Sequence, residues 1–317
     1  MLCGYTILIL LAISSSPAGQ QAPNHQTASQ PTSQPSSIPA GYKAFQPGVW
    51  INWQQNTVAI QSHVVLRRGP LEFLACGAGK EHESILRLEA SATHIYMALG
   101  LIGLTPGHPP QWNERECRYD QPAGDLVDIS VQWHSAGQWH SASTFDWLND
   151  LEYARPPIAR PWIFAGSLRL ADGSLASDHS GVGLALVDFP DSLLALSSGH
   201  SSSVGDLWVT ANTPAIPPTN TSVLLILRTA QPRVYKVQLD FRGALYVDGR
   251  FTRIADFADL LKLARQTDPT YVQVVSVKHT LKSDVQAIRN TLKKFGVPAE
   301  AIKFRPTSES PDITVTP

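Results

Sequence analysis

The chain has 317 residues, of which 43% are hydrophobic and 16% charged, so it contains enough apolar material for one large or two ordinary cored domains. Its formal net charge of −1 leaves no excess of lysine and arginine, which excludes nucleic acids and anionic membrane surfaces as partners. The cysteines and histidines lack the spacing of zinc or iron–sulfur ligands, so the sequence predicts no metal site and no cofactor of that kind.

The first apolar segment, Tyr5 to Ser14, is shorter than the roughly 18 to 20 residues that a membrane-spanning helix needs. Ser16 and Ala18 supply the small side chains that a signal peptidase accepts, so we expect residues 1–18 to be an export signal cut near Ala18. No lysine or arginine precedes the segment, and the alternative is a mistranslated start or a buried apolar N-terminus. Cleavage predicts a periplasmic or secreted protein with no transmembrane segment in the mature chain.

Cleavage would also remove Cys3 and leave two cysteines, Cys76 and Cys117. An even number of cysteines in an oxidising compartment is typical of a disulfide, which would contribute about 4 kcal/mol to stability. The sequence does not show that the two thiols meet, so a disulfide between Cys76 and Cys117 is a hypothesis.

Behind the signal, residues 19–43 are rich in Pro, Ser, Gln and Thr and predict a disordered linker, because they cannot repay the entropy of folding. Residues 44–229 predict a β-rich domain with one or two helices. Ser91 is the expected N-cap of one helix, which carries apolar residues at helical spacing and ends at Gly103. Strands are expected at 57–66, 71–75, 85–90, 126–133, 162–170, 183–189 and 223–227.

The remaining sequence predicts a smaller module over residues 233–305 and a disordered tail over 306–317. Helices are expected from Thr252 and from the capping box at Ser283. Short strands are expected at 234–240, 244–247, 271–278 and 301–304. The order is β-β-α-β-α-β, and the fold class predicted for the whole chain is α+β.

The densest chemistry lies between two predicted strands, in the segment Cys76 to Ser84 (CGAGKEHES). His82 with Glu81 and Glu83 is the candidate catalytic group, as a general base or a metal ligand. The candidate binding residues are Lys80, His82, Glu83, Ser84 and His179. Neighbouring residues on a strand face opposite sides, so His82 shares a side with neither glutamate unless the segment is a turn. The alternative is that these charges stabilise a surface loop and cap the next strand.

Three weaker candidates accompany this segment. Asp178 and His179, in a polar loop at 171–181, could approach it and supply metal ligands, and a nucleophilic pair of Cys76 and His82 is also possible. His134 and His140 flank a predicted hairpin turn, where solvated positions explain them better than a site does. A carbohydrate or peptide groove is one interpretation of the tryptophans, and packing in a core or at its rim is the commoner one; they are Trp50, Trp53, Trp133, Trp139, Trp147 and Trp162.

The sequence GPLEFLAC at 69–76, followed by KEHESI at 80–85, resembles the signature of the YdjY-domain family of exported bacterial proteins. Further motifs follow in the order of that family, namely PWIFAGS at 161–167, DFP at 188–190 and IPP at 216–218. Where the family pattern has Ser-Asn-Phe-Pro, this chain has Val187-Asp188-Phe189-Pro190. The resemblance covers residues 44–229 and implies export, without an established activity.

Residues 234–304 are similar to the periplasmic domain of the ExbD/TolR family. The similarity is carried by LYVDGR at 245–250, the valine-rich strand and the Gly296-Val297-Pro298 ending. The membrane helix that precedes this domain in the family is missing, and Lys278-His279 replaces the Ala-Asp that ends the central strand. The resemblance therefore implies an envelope-facing pairing or binding module without motor activity.

Two functions remain open from sequence. The first is an exported envelope protein that is non-catalytic and binds an envelope protein or itself through the C-terminal module. The alternative is a periplasmic hydrolase or metal-assisted enzyme centred on Lys80 to Ser84. The first is favoured because the sequence contains no complete catalytic triad, metal cage or phosphate loop.

Overall fold

The computed structural model describes residues 38–196, 198, 200–202, 205–231, 235–240, 242, 244–254, 257, 272–276, 282–294 and 302–305. The expected signal, most of the linker, most of the helix expected from Thr252 and the tail lie outside these residues. Within them, no helix is both long enough and apolar enough to cross a membrane. The fold is α+β and rich in strands, as the sequence predicts.

The first half of the β-rich part contributes strands β1 to β9, one helix and a 3₁₀ turn. The strands are β1 (Lys43–Gln46), β2 (Val49–Asn52), β3 (Thr57–Val64), β4 (Phe73–Cys76), β5 (Ser84–Leu88), β6 (Pro106–His108), β7 (Gln111–Asn113), β8 (Arg118–Asp120) and β9 (Ala123–Gly124). The 3₁₀ turn is Glu81–Glu83, between β4 and β5, and the helix is α1 (Ala92–Leu101), between β5 and β6.

The second half contributes β10 to β17, a second short helix and another 3₁₀ turn. The strands are β10 (Leu126–Ser135), β11 (Gln138–Ser143), β12 (Leu148–Asp150), β13 (Trp162–Phe164), β14 (Leu184–Ala185), β15 (Leu194–Ala195), β16 (Val209–Ala211) and β17 (Ser222–Thr229). The 3₁₀ turn is Thr144–Trp147, and the helix is α2 (Ala176–Ser180).

Eight of these strands close into a barrel. Their hydrogen-bonded order is β3-β17-β10-β13-β15-β14-β4-β5, and β5 pairs again with β3. The alternation predicted for β3 is confirmed, because Val58, Ile60 and Val64 belong to the main core while Ala59 belongs to a second cluster. Tyr42 and Trp50 pack against this second cluster, so the hairpin of β1 and β2 covers one outer face of the barrel.

Helix α1 begins and ends where the sequence predicts. The Ser91 side chain accepts a hydrogen bond from the backbone N–H of His94, which satisfies one of the free donors of the first turn. Ile95 and Leu99 are fully buried in the main core, and Gly103 follows the helix with a φ of 92°. The helix therefore adds its apolar face to the core of the barrel.

The strands predicted at 57–66 and 85–90 end two residues early, and two other strand predictions were too long by more than that. The strand expected at 162–170 ends at Phe164, because Gly166 and Ser167 adopt φ values of 84° and 63° and turn the chain. The strand expected at 183–189 pairs only at Leu184–Ala185, although the segment that follows it remains buried up to Asp188. The apolar residues after Ala185 are therefore explained by burial in the core and not by strand pairing.

The C-terminal part forms a separate five-stranded sheet. Its strands are β18 (Tyr235–Leu239), β19 (Leu245–Val247), β20 (Arg250–Phe251), β21 (Val272–Ser276) and β22 (Ile302–Arg305), with helix α3 (Lys282–Lys294) between the last two. The order is β20-β19-β18-β21-β22, in which β21 is parallel to both of its neighbours. Because the first helix falls largely outside the described residues, the complete β-β-α-β-α-β order stays a prediction.

Candidate functional site

The segment between β4 and β5 is a tight turn held at both ends by backbone hydrogen bonds. Strands β4 and β5 run parallel with Phe73 opposite Ser84, and the Glu72 N–H donates to the Glu83 carbonyl over 3.1 Å. The Gly77 N–H donates to the Gly181 carbonyl over 2.8 Å, so the 171–181 loop does contact this segment through its backbone. His82 and Glu83 therefore lie in a 3₁₀ turn and not on a strand, which removes the geometric objection to their acting together.

The polar side chains of this turn bond mainly to one another and to the backbone. Lys80 Nζ lies 3.0 Å from Glu83 Oε1, and this hydrogen bond raises the pKa of Lys80. Glu81 Oε2 accepts a 2.8 Å hydrogen bond from the Gly79 N–H, and its other oxygen lies 3.4 Å from Arg87 Nε. The buried Ser84 hydroxyl donates to the Leu86 carbonyl over 2.8 Å. These side chains fasten the connection between the two strands.

His82 is the exposed member of the turn. Its side chain is 74% exposed, and its Nε2 atom lies 3.7 Å from Glu83 Oε2, beyond hydrogen-bonding distance. A general base needs a partner that orients the ring, and among the described residues the nearest charged group, Glu83, is too far from His82 to do so. The structure therefore brings His82 beside Glu83 without building a catalytic pair from them.

Sequence reasoning missed Glu72, which belongs to this cluster. The Glu72 and Glu83 carboxyl groups lie within hydrogen-bonding reach of each other, and the register of β4 with β5 explains why, since each glutamate directly precedes its strand. Burial, followed by the negative charge of Glu83 and the hydrogen bond to it, raises the pKa of Glu72, while Lys80 and His82 oppose the rise. Knowledge that β4 and β5 are parallel neighbours would have identified the pair.

An aromatic pair flanks the carboxyl pair. Lys80 Nζ lies 5.8 Å from the centre of the Phe73 ring, and that ring lies 4.9 Å from the ring of Phe189. Phe189 belongs to the DFP motif, so the structure brings two of the sequence motifs together at the end of the barrel strands.

The two cysteines do not form the hypothesised disulfide. Both are free, with Cys76 buried and Cys117 exposed. Burial raises the pKa of the Cys76 thiol to about 11, and the hydrogen bond with Ser84 only partly opposes this. A thiol that is buried and protonated at neutral pH is a poor nucleophile, so the pairing of Cys76 with His82 as a catalytic nucleophile is not supported by this geometry.

The side chains of Asp178 and His179 are used elsewhere. Asp178 accepts hydrogen bonds from the backbone N–H groups of Ala92 (2.6 Å) and Thr93 (3.2 Å), so it stabilises the start of α1. His179 Nε2 lies 3.0 Å from the Ser174 hydroxyl in its own loop. Across the described residues, no three histidine, cysteine, aspartate or glutamate side chains are grouped so that they could hold a metal ion.

The candidate tryptophans do not line a common groove: Trp53 is exposed, Trp50 packs on the second cluster, and the other four lie in the core or on one hairpin. Trp147 and Trp162 are fully buried in the main core. At the hairpin of β10 and β11, Trp133 stacks on His140 at 5.3 Å, and His134 contacts Trp139 edge-on at 5.6 Å. The two histidines thus lie on adjacent cross-strand pairs, and neither has a second polar partner that indicates a site.

A second polar cluster, which sequence reasoning did not single out, surrounds Asp188. This residue is 5% exposed, and its Oδ1 atom has no hydrogen-bond partner among the described residues. Burial, followed by the charge of Asp206, raises the pKa of Asp188 to about 7. His200 Nδ1 lies 3.2 Å from Asp206 Oδ1, and the His200 ring stacks on Trp208 at 5.7 Å. The only sequence signal was that aspartate replaces asparagine in the DFP motif.

Comparison with known proteins gives one match. The family model described as the YdjY domain matches residues 49–228, which is more than half of the chain and runs from β2 into β17. No curated protein and no solved structure matches the chain. The match includes the barrel, the Lys80–Ser84 turn and Asp188, and it ends before the C-terminal sheet.

Proposed function

The chain belongs to the YdjY-domain family, and on that premise we propose that it is an exported envelope protein that binds or assembles with a partner and does not catalyse a reaction. The partner is an envelope protein or a second copy of the chain. The observation that carries this proposal is the commitment of Lys80, Glu81 and Ser84 to internal hydrogen bonds and ion pairs, which leaves His82 without an orienting partner.

The buried thiol supports the same proposal. Cys76 is the strongest nucleophile by residue type in this region, but its pKa of about 11 keeps it protonated at neutral pH. Asp178, which the sequence placed near the site, caps a helix instead. The turn therefore offers an exposed imidazole on a surface whose glutamates are already paired with Lys80 and Arg87, which suits recognition better than nucleophilic chemistry.

We assign assembly to the C-terminal sheet, as an ExbD/TolR-like module. Among the described residues, β20 and β22 each pair on one side only, so the sheet presents backbone donors and acceptors at two edges. Strand addition at such an edge gives affinity through main-chain hydrogen bonds. Of the two, β22 is the longer strand, with four residues, and it is the edge that we propose for pairing.

The test is sedimentation velocity of the mature chain, residues 19–317, with proline variants in β22. Successive backbone N–H groups point to opposite sides of a strand, so one of Lys303→Pro and Phe304→Pro removes a donor at the free edge while the other breaks the pairing with β21. The variant that keeps the circular dichroism of the parent is the informative one, and alanine at the same position is its matched control.

We expect the parent and the alanine variant to associate, and the folded proline variant to remain monomeric. A monomeric parent at 100 µM (on the order of the weakest useful affinity), tested alone and with an envelope extract, would overturn assembly through this edge. An unchanged dimer in the folded proline variant would place the interface elsewhere on the chain.

One observation favours a second candidate function, a hydrolase. Two carboxyl groups within hydrogen-bonding reach of each other can act as general acid and general base, and the raised pKa of Glu72 beside Glu83 fits the role of the acid. The test is a panel of glycoside, ester and peptide substrates with the parent, Glu83→Gln, and Glu81→Gln as the matched control. Turnover that is lost in Glu83→Gln and kept in Glu81→Gln would support the enzyme, whereas turnover in neither parent nor variants supports the binding protein.

A further inference from the structure

Asp188 is the one buried carboxyl group that no contact in the described structure accounts for. Its backbone N–H donates to the His200 carbonyl over 2.8 Å, so the backbone donor of Asp188 is satisfied. Its Oδ1 atom is buried and without a hydrogen-bond partner in this part of the chain, and the residue as a whole is 5% exposed. A buried, unpaired carboxyl group destabilises the folded protein. Such a group is therefore a candidate for a functional role.

The charged neighbour of Asp188 is a second carboxylate. Asp206 raises the pKa of Asp188 through its negative charge, and His200 links the two residues, since its carbonyl accepts from the Asp188 N–H and its ring contacts Asp206. Asp206 is itself held by His200, at 3.2 Å, and by the N–H of Ser201 at 2.5 Å. These bonds lower the pKa of Asp206 against the opposing effect of burial, so Asp206 keeps its charge. The cluster thus combines one fixed carboxylate with one that lacks a partner.

Aromatic faces complete the cluster. The Trp208 ring is fixed by a 2.9 Å hydrogen bond from its Nε1 atom to the Leu186 carbonyl, and His200 stacks on it at 5.7 Å. The Arg160 guanidinium lies 5.4 Å from the centre of the same ring, so this ring already accepts one cation. Carboxylates beside an aromatic ring are the groups that bind ammonium and guanidinium ions in proteins.

We propose that Asp188 and Asp206, with Trp208 beside them, form a binding site for a cationic nitrogen group, of the kind carried by a primary amine or a guanidinium compound. The N–H donors of the ligand would bond to the carboxylates of Asp188 and Asp206, and its positive charge would offset the two negative charges. A metal ion is the less suitable occupant, because the described residues bring no three metal-binding side chains together here. The site is separate from the Lys80–Ser84 turn, and its test requires neither export nor pairing of the C-terminal sheet.

The proposal predicts that binding competes with a proton on Asp188. With a pKa of about 7 in the free protein, Asp188 is mostly protonated at pH 5.5 and mostly ionised at pH 8. A ligand that binds the ionised form should therefore bind about 30-fold more weakly at pH 5.5 than at pH 8. His200 also lies beside Asp206, at 3.2 Å, so its contribution needs a variant of its own.

The experiment is titration of the mature chain with methylammonium, guanidinium, tetramethylammonium and calcium chlorides at constant ionic strength. The readout is the Trp208 indole N–H signal in ¹H–¹⁵N NMR spectra, assigned by its loss in Trp208→Phe. Asp188→Asn removes the free carboxylate in a side chain of the same size. Asp191→Asn is the matched control, because it removes the same charge from the same loop and Asp191 acts on Lys80 instead.

We expect saturable shifts with methylammonium and guanidinium, at least tenfold weaker binding in Asp188→Asn, and less than twofold change in Asp191→Asn. Tetramethylammonium, which has no N–H donor, should bind at least tenfold more weakly. Equal binding in Asp188→Asn, equal binding of tetramethylammonium, tighter binding of calcium, or no saturable shift up to 100 mM (about 1.4 kcal/mol of affinity) would each overturn the proposal. If Asp188→Asn does not fold, the pH dependence of ligand binding to His200→Gln tests the proposal instead. The affinity of this variant should still fall about 30-fold from pH 8 to pH 5.5, and loss of that change would overturn the proposal.

Discussion

The carboxyl groups of Glu72 and Glu83 lie within hydrogen-bonding reach of each other at the start of two parallel barrel strands, with Lys80 Nζ 3.0 Å from Glu83. Two like charges in this position are unfavourable when both are ionised, and the nearby lysine opposes this effect only in part. Glu72 therefore keeps its proton to a higher pH than an isolated glutamate does.

Glu72→Gln should reduce the loss of stability at high pH. Because the pKa of Glu72 is raised in the folded protein, the folded state holds a proton that the unfolded state has released. Stability of the parent should therefore decrease as the pH rises above 4.5, and the variant should lack this component. Solvent screening limits the difference to less than about 1 kcal/mol.

Urea denaturation of parent and variant at pH 4 and pH 8 measures this difference. The matched control is Glu81→Gln, because the pKa of Glu81 is lowered by backbone hydrogen bonds and its removal should cost stability at pH 8. A Glu72→Gln variant that loses stability at pH 8 would contradict the arrangement of the pair.

Asp188→Asn should stabilise the protein at high pH, as Glu72→Gln should, but by a larger amount. The shift of the Asp188 pKa from 3.8 to about 7 corresponds to up to about 4 kcal/mol, because one unit is worth about 1.4 kcal/mol. The parent should lose this stability as the pH rises from 3.8 to about 7, whereas Asp188→Asn should show a flatter profile. Thermal denaturation between pH 4 and pH 8 tests this, and superimposable profiles would show that Asp188 is already paired in solution.

Asp178→Ala should destabilise helix α1. Asp178 accepts hydrogen bonds from two backbone N–H groups in the first turn of the helix, and loss of such a cap typically costs about 1 to 2 kcal/mol. His179→Ala, one residue away, should cost less than about 0.5 kcal/mol because its ring bonds only to an exposed hydroxyl. Equilibrium denaturation of both variants compares the two, and a larger loss in His179→Ala would restore His179 as a functional residue.

The mature chain should contain one reactive thiol in its native state. Cys117 is exposed, whereas Cys76 is fully buried with a pKa of about 11. Titration with a chromogenic disulfide should release one equivalent from the folded protein and two in denaturant. Zero equivalents under both conditions would show that the disulfide forms.

Local signals predicted the fold better than the site. The helix capped by Ser91 and the alternation of β3 were readable because both depend on residues a few positions apart. Closure of the barrel through β3 and β5 could not be predicted in this way, since the pairing of strands depends on the whole chain. Likewise, Asp178 caps a helix whose first residue lies 86 positions earlier. That partner cannot be identified from the sequence near Asp178, so its polar neighbours suggested a metal-binding site instead.

The candidate site was located in part. The Lys80–Ser84 segment does lie beside the DFP motif, as residues of one signature often do, but its charges hold a turn together. Glu72 and Asp188 were missed because their importance depends on a second carboxyl group that only the folded chain brings near. That group is Glu83 for Glu72 and Asp206 for Asp188. A single sequence contains no signal for such meetings across separate strands.

The central claim, an exported binding protein, is tested most directly by expressing the full chain in a bacterium with two membranes and measuring the intact mass of the protein in each cell fraction. The account predicts a periplasmic or secreted species that begins after Ala18 and retains an unmodified Cys76. An unprocessed chain confined to the cytoplasm would contradict it.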